Sequence, residues 1–600
     1  MTSATHRRAR VALLVAALVG FVSPTIPASA AAAPPASAAA APPASQVPYQ
    51  LIAKAYTELL GRAPDPGGWT SQVAYWQGRP CTAASVQGFI HGFVSAAAAA
   101  PPPGFAGVSG ELAAHAYTPA QLTLLAYRFV LDRDPDPAGF ALNRNAIAAD
   151  GLLPVIDAMD DAPEFVSSVV PAVCAANPAD GFGSAPATTA PAAGTAQLAP
   201  DSTNALQAAL DAATGTVTLP QGAVFGLSRP LVIPSGIILT TAGSPGPDEY
   251  PKMARLVRLS TFATAPAGPL VEVEGTGQLR NVWVDGQRSV YPSQIDSTGA
   301  GGMDVELRGG ATIDGAVVDD RLTGATGRMA VVAWSANDGV SGEAPCGPNT
   351  TIAGNLIDSY SSVHLAPGPG GGPSSFLSSD GIQVWCGTTT LAGNSIVDAT
   401  DAAIVLFATA GGDQASQVRD NTIISAGNNA FYGIVADPLA PGTPRCDEGG
   451  RPGGAVASKD YGGTDVYDNH IWTGDRTHID VLLSLGTDED LGTCEHPGGP
   501  GGIGELNGTG AVFQGNDDDG LETRTEVAIY VGGMLDAQVP ATNHFAHIVL
   551  EPAGMPLRAD MVVATGTGTP EAPNYAVGLV TGIAYTPDTA LVDDAANNTY

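Results

Sequence analysis

The chain has 600 residues, with 25 Lys and Arg against 58 Asp and Glu, a formal net charge of −33. That charge excludes nucleic acid and anionic membrane as long-range partners. It leaves room for an acidic polysaccharide only in a groove made locally basic or bridged by a cation. The length exceeds one ordinary core, so it demands several folding units or an extensible repeat.

In chain order, Arg7, Arg8 and Arg10 precede the apolar run 11–22 and the triplet Ala28-Ser29-Ala30. This is the pattern of a bacterial-type export signal over residues 1–30, and it predicts a secreted protein, released or held at the cell surface by contacts. No later stretch of about 20 residues is free of Gly, Pro and charge, so no membrane anchor or insertion is expected. The six cysteines then face an oxidising compartment. The simplest pairing joins sequence neighbours: Cys81 with Cys174, Cys346 with Cys386, and Cys446 with Cys494.

Residues 31–46 are Ala/Pro repeats and read as an extended linker, as do residues 177–198. The stretch 47–176 between them holds a duplication: Tyr56-x-x-Leu-Leu60-Gly-Arg62-x-Pro64-Asp65-x-x-Gly68-Trp69 returns as Tyr127-x-x-Val-Leu131-Asp-Arg133-x-Pro135-Asp136-x-x-Gly139-Phe140, 71 residues later. Leu51, Ala55, Leu59 and Leu60 fall on a helical stripe, and the Pro-Asp-x-x-Gly turn ends one helix and starts another. These residues resemble a duplicated helical domain of unknown function found in secreted bacterial proteins and distantly like phycobilisome linker domains. The resemblance implies attachment and no chemistry. The Arg and Asp of each copy are expected to fix the turn as an ion pair.

From Asp201 the pattern changes to a capped amphipathic helix, 201–210, followed by short strands at 215–222 and 231–239. Repeats follow: Thr312-Ile-Asp-Gly-Ala316-Val-Val-Asp319, Thr351-Ile-Ala-Gly-Asn355-Leu-Ile-Asp358 and Thr390-Leu-Ala-Gly-Asn394-Ser-Ile-Val-Asp398, continued by Asn421 and Asn469. One such unit buries its apolar face only when the next stacks on it, and unequal spacings mean loops of unequal length on a constant coil. Asn at one turn of successive coils is expected to stack as an amide ladder. The pattern resembles a pectate-lyase-like right-handed parallel β-helix over residues 199–600, with an N-terminal helix cap and a strand-rich C-terminal end. The fold class expected is mainly β, with an N-terminal all-α domain. The Gly-rich stretches 366–372, 439–463 and 497–504 read as projecting loops.

The chemistry candidates follow from that frame. Asp380, in Ser378-Ser379-Asp380-Gly381, and Asp401 lie 21 residues apart, close to one coil. Their carboxylates are expected at equivalent positions of neighbouring strands, about 4.8 Å apart. Repulsion would then raise one pKa and leave an acid beside an ionised base, as glycoside hydrolysis requires. The segment resembles the Asn-Thr-Asp and Asp-Asp motifs of polygalacturonase-type glycoside hydrolases, although the second motif reads Asp401-Ala402 and no Gly-His-Gly or Arg-Ile-Lys follows. Tyr432, His478 and Asp480 fall at later strand entries and are expected to line the same groove and contact substrate. Residues 515–520 with Glu526 match a calcium-loop template at its third, fifth, sixth and twelfth positions, with Gly515 where the first acid belongs. No metal ligand set or cofactor is otherwise implied, so Ca2+ is the only candidate ion. Two functions compete: a secreted glycoside hydrolase or polysaccharide lyase acting on a groove-bound glycan, and a non-catalytic surface adhesin or glycan-binding rod.

Overall fold

A computed structural model describes residues 47–98, 105–174, 199–262, 268–288, 290, 302–309, 312–326, 329–333, 346–358, 380–407, 415–437, 459–485, 508–525, 527–531, 534–535, 543, 545 and 548–550. The expected signal peptide, both linkers, Ser378, Ser379, Glu526, Cys446 and Cys494 lie outside them, as do the Gly-rich stretches apart from residues 459–463. The other two expected disulfides, Cys81–Cys174 and Cys346–Cys386, are formed. Among the described residues no helix is long and apolar enough to cross a membrane.

After residue 199 the chain winds as a parallel β-helix. Each coil contributes one strand to each of three sheets, which hold nine, eight and nine strands, and every pairing is parallel. The first sheet begins at Thr216–Leu219, the second at Val224–Leu227 and the third at Leu231–Ile233. Stacking aligns one apolar residue per coil. Leu239, Leu279, Val317, Ile352, Leu391, Val418, Val466 and Phe513 form an inward column of the first sheet, all fully buried. The second sheet repeats this from Leu256 to Ile471 and the third from Leu231 to Ile529. A helix, Thr203–Ala212, closes the first coil by setting Leu206 and Leu210 on this core, which keeps the open end from water and edge pairing.

The turn from first to second sheet is one residue long at Asn281 and two residues long from Asp319 onward, and its first residue is left-handed: Asn281, Asp319, Gly354, Gly393, Asp420, Asp468 and Gly515 all have positive φ. Gly, Asn and Asp are the residues that tolerate this conformation. The second residue builds the expected ladder. The Nδ2 groups of Asn355, Asn394, Asn421, Asn469 and Asn516 each donate to the Oδ1 of the next coil's Asn at 2.8–2.9 Å, ending on Asn543. Each also donates to a backbone carbonyl of the coil before, as Asn355 does to Val317 at 3.0 Å. Both amide hydrogens are thus used inside the stack.

The register corrects the first repeat. Ala316, not Thr312, pairs with Thr351, so Asp320 occupies the ladder position of that coil. Its Oδ1 accepts from Val282 N at 2.7 Å, while its buried Oδ2 has no partner. An Asn there would direct Nδ2 at the Leu279 carbonyl and at Asn355 Oδ1, by analogy with the other rungs. Burial pushes the Asp320 carboxyl well above the usual range, against the pull of the Val282 N–H.

Ahead of the β-helix, eleven helical segments run from Tyr49 to Val173 among the described residues. The duplicated motif forms one structural unit in each copy. Asp65 and Asp136 cap the helices Pro66–Trp76 and Pro137–Asp150, accepting from Gly68 N at 2.7 Å and Gly139 N at 2.9 Å. The Tyr56 and Tyr127 hydroxyls sit where a Cβ on Gly68 or Gly139 would be, 2.3 and 2.2 Å away, so only glycine fits. Arg62 and Arg133 lie over those tyrosine rings. Their main carboxylate partners are Glu111 and Glu164, with Asp65 and Asp136 at 3.2 and 3.9 Å. The expected Arg–Asp turn pair is therefore secondary, because the aspartates spend their lone pairs on backbone N–H groups.

These helices pack on the outer face of the second sheet. Trp283, Val397, Ile424 and Trp472 of that face share one apolar cluster with the helical core. Gly474 and Gly427 let Tyr49 and Gln50 approach the coils, since a Cβ would come within 2.7 and 2.8 Å of them. At the other end of the same helical run, Glu58 is buried between Arg128 and Arg321 at 2.9 Å each. Arg321 also donates to the Thr57 carbonyl at 2.7 Å and the Tyr250 hydroxyl to the Glu58 carbonyl at 2.7 Å. Beside them Arg255 bridges Asp134 of the helical part and Asp285 of the second sheet, its guanidinium 3.9 Å from the Trp283 ring centroid.

An Asp320→Asn variant tests the ladder reading. As pH rises, the unfolded Asp320 loses its proton first while the folded one keeps it, so this group removes stability from the ordinary Asp range upward. The variant should be more stable than wild type in urea at pH 8, by about 1–2 kcal/mol, with the gap closing near pH 3.

Candidate functional site

With the second sheet covered by the chain's own helices, the third sheet carries the sequence-predicted site residues. Its strands Asp380–Val384, Ala402–Phe407, Ala430–Asp437 and Ile479–Leu485 stack in that order. Ile382, Ile404, Ile434 and Leu483 point into the core. A second apolar cluster, separate from that core, contains Ala402, Val405, Phe407, Tyr432 and Val435, with Trp385, Phe431 and Val481 half-buried against it. Ala402 and Tyr432 lie only two residues from the inward Ile404 and Ile434, so the strand must pivot between them. Small residues permit this: a Cβ on Gly381 would lie 2.5 Å from the Ala403 carbonyl oxygen, and one on Gly433 would lie 2.4 Å from that of Leu482.

Asp380 is 5% exposed. Its Oδ1 accepts from Ala402 N at 2.8 Å and its Oδ2 from Gln383 Nε2; Gln383 Oε1 accepts in turn from Trp385 Nε1 at 2.9 Å. Carboxylate, carboxamide and indole thus form one hydrogen-bonded row along a strand, and the Trp385 ring stacks on Phe407 with centroids 3.7 Å apart and planes 18° from parallel.

The register differs from the expected stacking of Asp380 on Asp401. Ile382 pairs with Ile404, so Asp380 is level with Ala402 and the coil repeats after 22 residues. Asp401 stands one residue earlier, half-buried, its carbonyl accepting from Phe431 N and Tyr432 N at 3.0 and 2.9 Å. The two carboxylate-bearing residues are diagonal neighbours. Tyr432 is level with Ala402 and with Val481. Asp480 lies on that last strand and His478 just before it, and they pair through Nε2 and Oδ1 at 2.9 Å, both partly exposed. They are three strands from Asp380, roughly 14 Å at the spacing of a sheet. The predicted residues therefore lie on or just before strands of one sheet without converging on one point.

Sequence reasoning missed Gln383, Trp385 and Phe407, which the period-2 pattern after the pivot would have disclosed. It also missed Glu272 and Glu306, direct neighbours in register on the same sheet, with Arg308 at 3.4 and 3.5 Å from them.

No family model and no curated protein matches the chain. Among solved structures it is similar to the Dettilon tailspike protein gp208 (14% identity, TM-score 0.32, covering 58% of this chain and 65% of that one). It is also similar to the catalytic unit of a GH87 α-1,3-glucanase from Streptomyces thermodiastaticus (14%, 0.28, 59% and 64%), and to the pre-mature bacteriophage phi29 gene product 12 (13%, 0.28, 59% and 51%). The chain spans between about half and just under two thirds of these proteins, and scores this low carry no inference about its activity.

Two substitutions separate the roles of Asp380. Asp380→Ala strips the acceptor from the Ala402 N–H and the Gln383 amide and should cost about 1–3 kcal/mol in urea unfolding. Asp380→Asn keeps the Oδ1 acceptor for Ala402 N–H but turns a donor, Nδ2, on the Gln383 Nε2 donor, and should cost about 1 kcal/mol or more while remaining milder than Asp380→Ala.

Proposed function

We propose that the protein is a secreted polysaccharide-processing enzyme, a glycoside hydrolase or lyase, whose glycan lies along the outer face of the third sheet. What supports this most is the row Asp380–Gln383–Trp385 beside stacked Phe407: sugar rings take apolar contact on aromatic faces and hydrogen bonds from carboxylate and amide groups. The spread of Asp380, Tyr432, His478 and Asp480 over several strands suits an extended chain better than a compact ligand. In a hydrolase Asp380 would donate a proton to the departing glycosidic oxygen while Asp401 takes one from the attacking water. A diagonal pair favours the wider carboxyl separation of inversion over the close separation of retention.

The second reading is a glycan-binding rod or surface adhesin without turnover. The lack of an in-register acid opposite Asp380, and the engagement of both its oxygens, favour it. Incubation with plant, algal and bacterial polysaccharides, followed by reducing ends and unsaturated-uronate absorbance, separates the two. The enzyme reading expects product release that Asp380→Asn abolishes without loss of fold; a fully active variant would remove Asp380 from the mechanism. Binding across a glycan array with no product would establish the rod.

A further inference from the structure

We propose that His470, Asp517 and Asp519 form a site for one divalent transition-metal ion of the Zn2+ class. His470 opens the strand His470–Thr473 of the second sheet, and Asp517 faces it across an isolated parallel bridge on the next coil. Backbone bonds fix both: His470 N donates to the Asn421 carbonyl at 2.8 Å, Asp517 N to that of Asn469 at 2.9 Å and Ile471 N to that of Asp517 at 2.9 Å. The residue before each is a ladder rung, Asn469 or Asn516, and the two rungs bond each other at 2.8 Å. Two of the three donors are thus placed by the most regular feature of the fold.

His470 Nδ1 lies 2.7 Å from Asp517 Oδ1 and 3.2 Å from Asp519 Oδ1, and the three donor atoms lie within 4.8 Å of one another. One ring nitrogen thus faces two carboxylate oxygens, whereas a single N–H proton can be directed well at only one. An ion replacing that proton would be held by all three. One imidazole nitrogen with two carboxylate oxygens is a borderline donor set that suits Zn2+ better than Ca2+, and the partial exposure of the group leaves further positions open to water. Charge points the same way: Asp420, Asp517, Asp518 and Asp519 all act on this cluster, and His470 supplies at most one positive charge. The neighbouring Arg419 and Arg524 are paired with Asp420 and Glu522.

The sequence supplies an independent pointer. Asp517 and Asp519 are the third and fifth positions of the calcium-loop template whose first acid is replaced by Gly515. His470, from the preceding coil, takes the place of the ligand the loop lacks. Asp518 instead turns inward, fully buried, and accepts from Gly520 N.

The test is calorimetric titration of Zn2+ into chelator-stripped, full-length protein at pH 7.5 and 5.5, with Ca2+ in parallel. Expected are one saturable Zn2+ site, weaker Ca2+ binding, and at least a tenfold loss of Zn2+ affinity in His470→Ala and in Asp517→Asn, with circular dichroism unchanged. Because a proton competes with the ion for the same imidazole nitrogen, Zn2+ binding should weaken at pH 5.5. Absent Zn2+ binding, or the same affinity in folded His470→Ala, would overturn the proposal. So would tighter Ca2+ binding indifferent to His470, which would restore the loop as a calcium site.

Discussion

The buried carboxylate of Glu58, held between Arg128 and Arg321, is the contact on which the arrangement of this protein depends. Burial alone would raise its pKa, but the two guanidiniums outweigh burial and bring it down to about 2, so Glu58 is ionised across the physiological range. Taking these charges out of water costs several kcal/mol for each ion. The cost is offset by further bonds: Arg321 also reaches the Thr57 carbonyl, Tyr250 the Glu58 carbonyl, and Arg255 joins Asp134 to Asp285, although the buried Nε of Arg321 has no partner. Removing Glu58 would leave Arg321 charged and without its carboxylate, while Arg128 would keep only Asp134, which makes the contact specific as well as stabilising.

This clamp decides where function can reside. It fixes the helices on the second sheet, so that face of the β-helix is spent on the chain itself, and coils and helices belong to one compact unit. The third sheet is left with a different outer surface, in which aromatic rings and hydrogen-bonded polar groups replace helix-covering apolar residues. Asp380 sits there because the pivot at Gly381 turns the start of the strand outward, and Trp385 because alternation after the inward Ile382 and Val384 puts it there.

Much of the fold was legible from sequence because a solenoid repeats its local rules. Asn355, Asn394, Asn421 and Asn469 announced the ladder, and the 71-residue offset announced the helical duplication. The errors came where chemistry substitutes for identity. Asp320 stands in for Asn, so matching Thr312-Ile to Thr351-Ile shifted that coil by four residues. Asp401 missed its expected level by one residue, because the coil measures 22 and the candidate pair 21. The clamp itself was invisible: Glu58 and Arg321 are 263 residues apart, and no local pattern marks a side chain whose partner comes from the other end of a tertiary interface. The meeting of His470 with the acidic turn was hidden for the same reason, since the loop template looks only along the chain.

The most direct test of this account is hydrogen exchange across the amides of Tyr49–Lys54 and Pro119–Leu131 in wild type, Arg321→Met and the double variant Glu58→Gln/Arg321→Met. If the clamp docks the helices, Arg321→Met should cost about 3–5 kcal/mol of protection in both helices, because Glu58 keeps only Arg128, and the double variant should recover much of it because opposite charges are removed together and Arg128 keeps Asp134. Unchanged protection in Arg321→Met would contradict the account and move the docking energy to the apolar contacts of Trp283, Ile424 and Trp472.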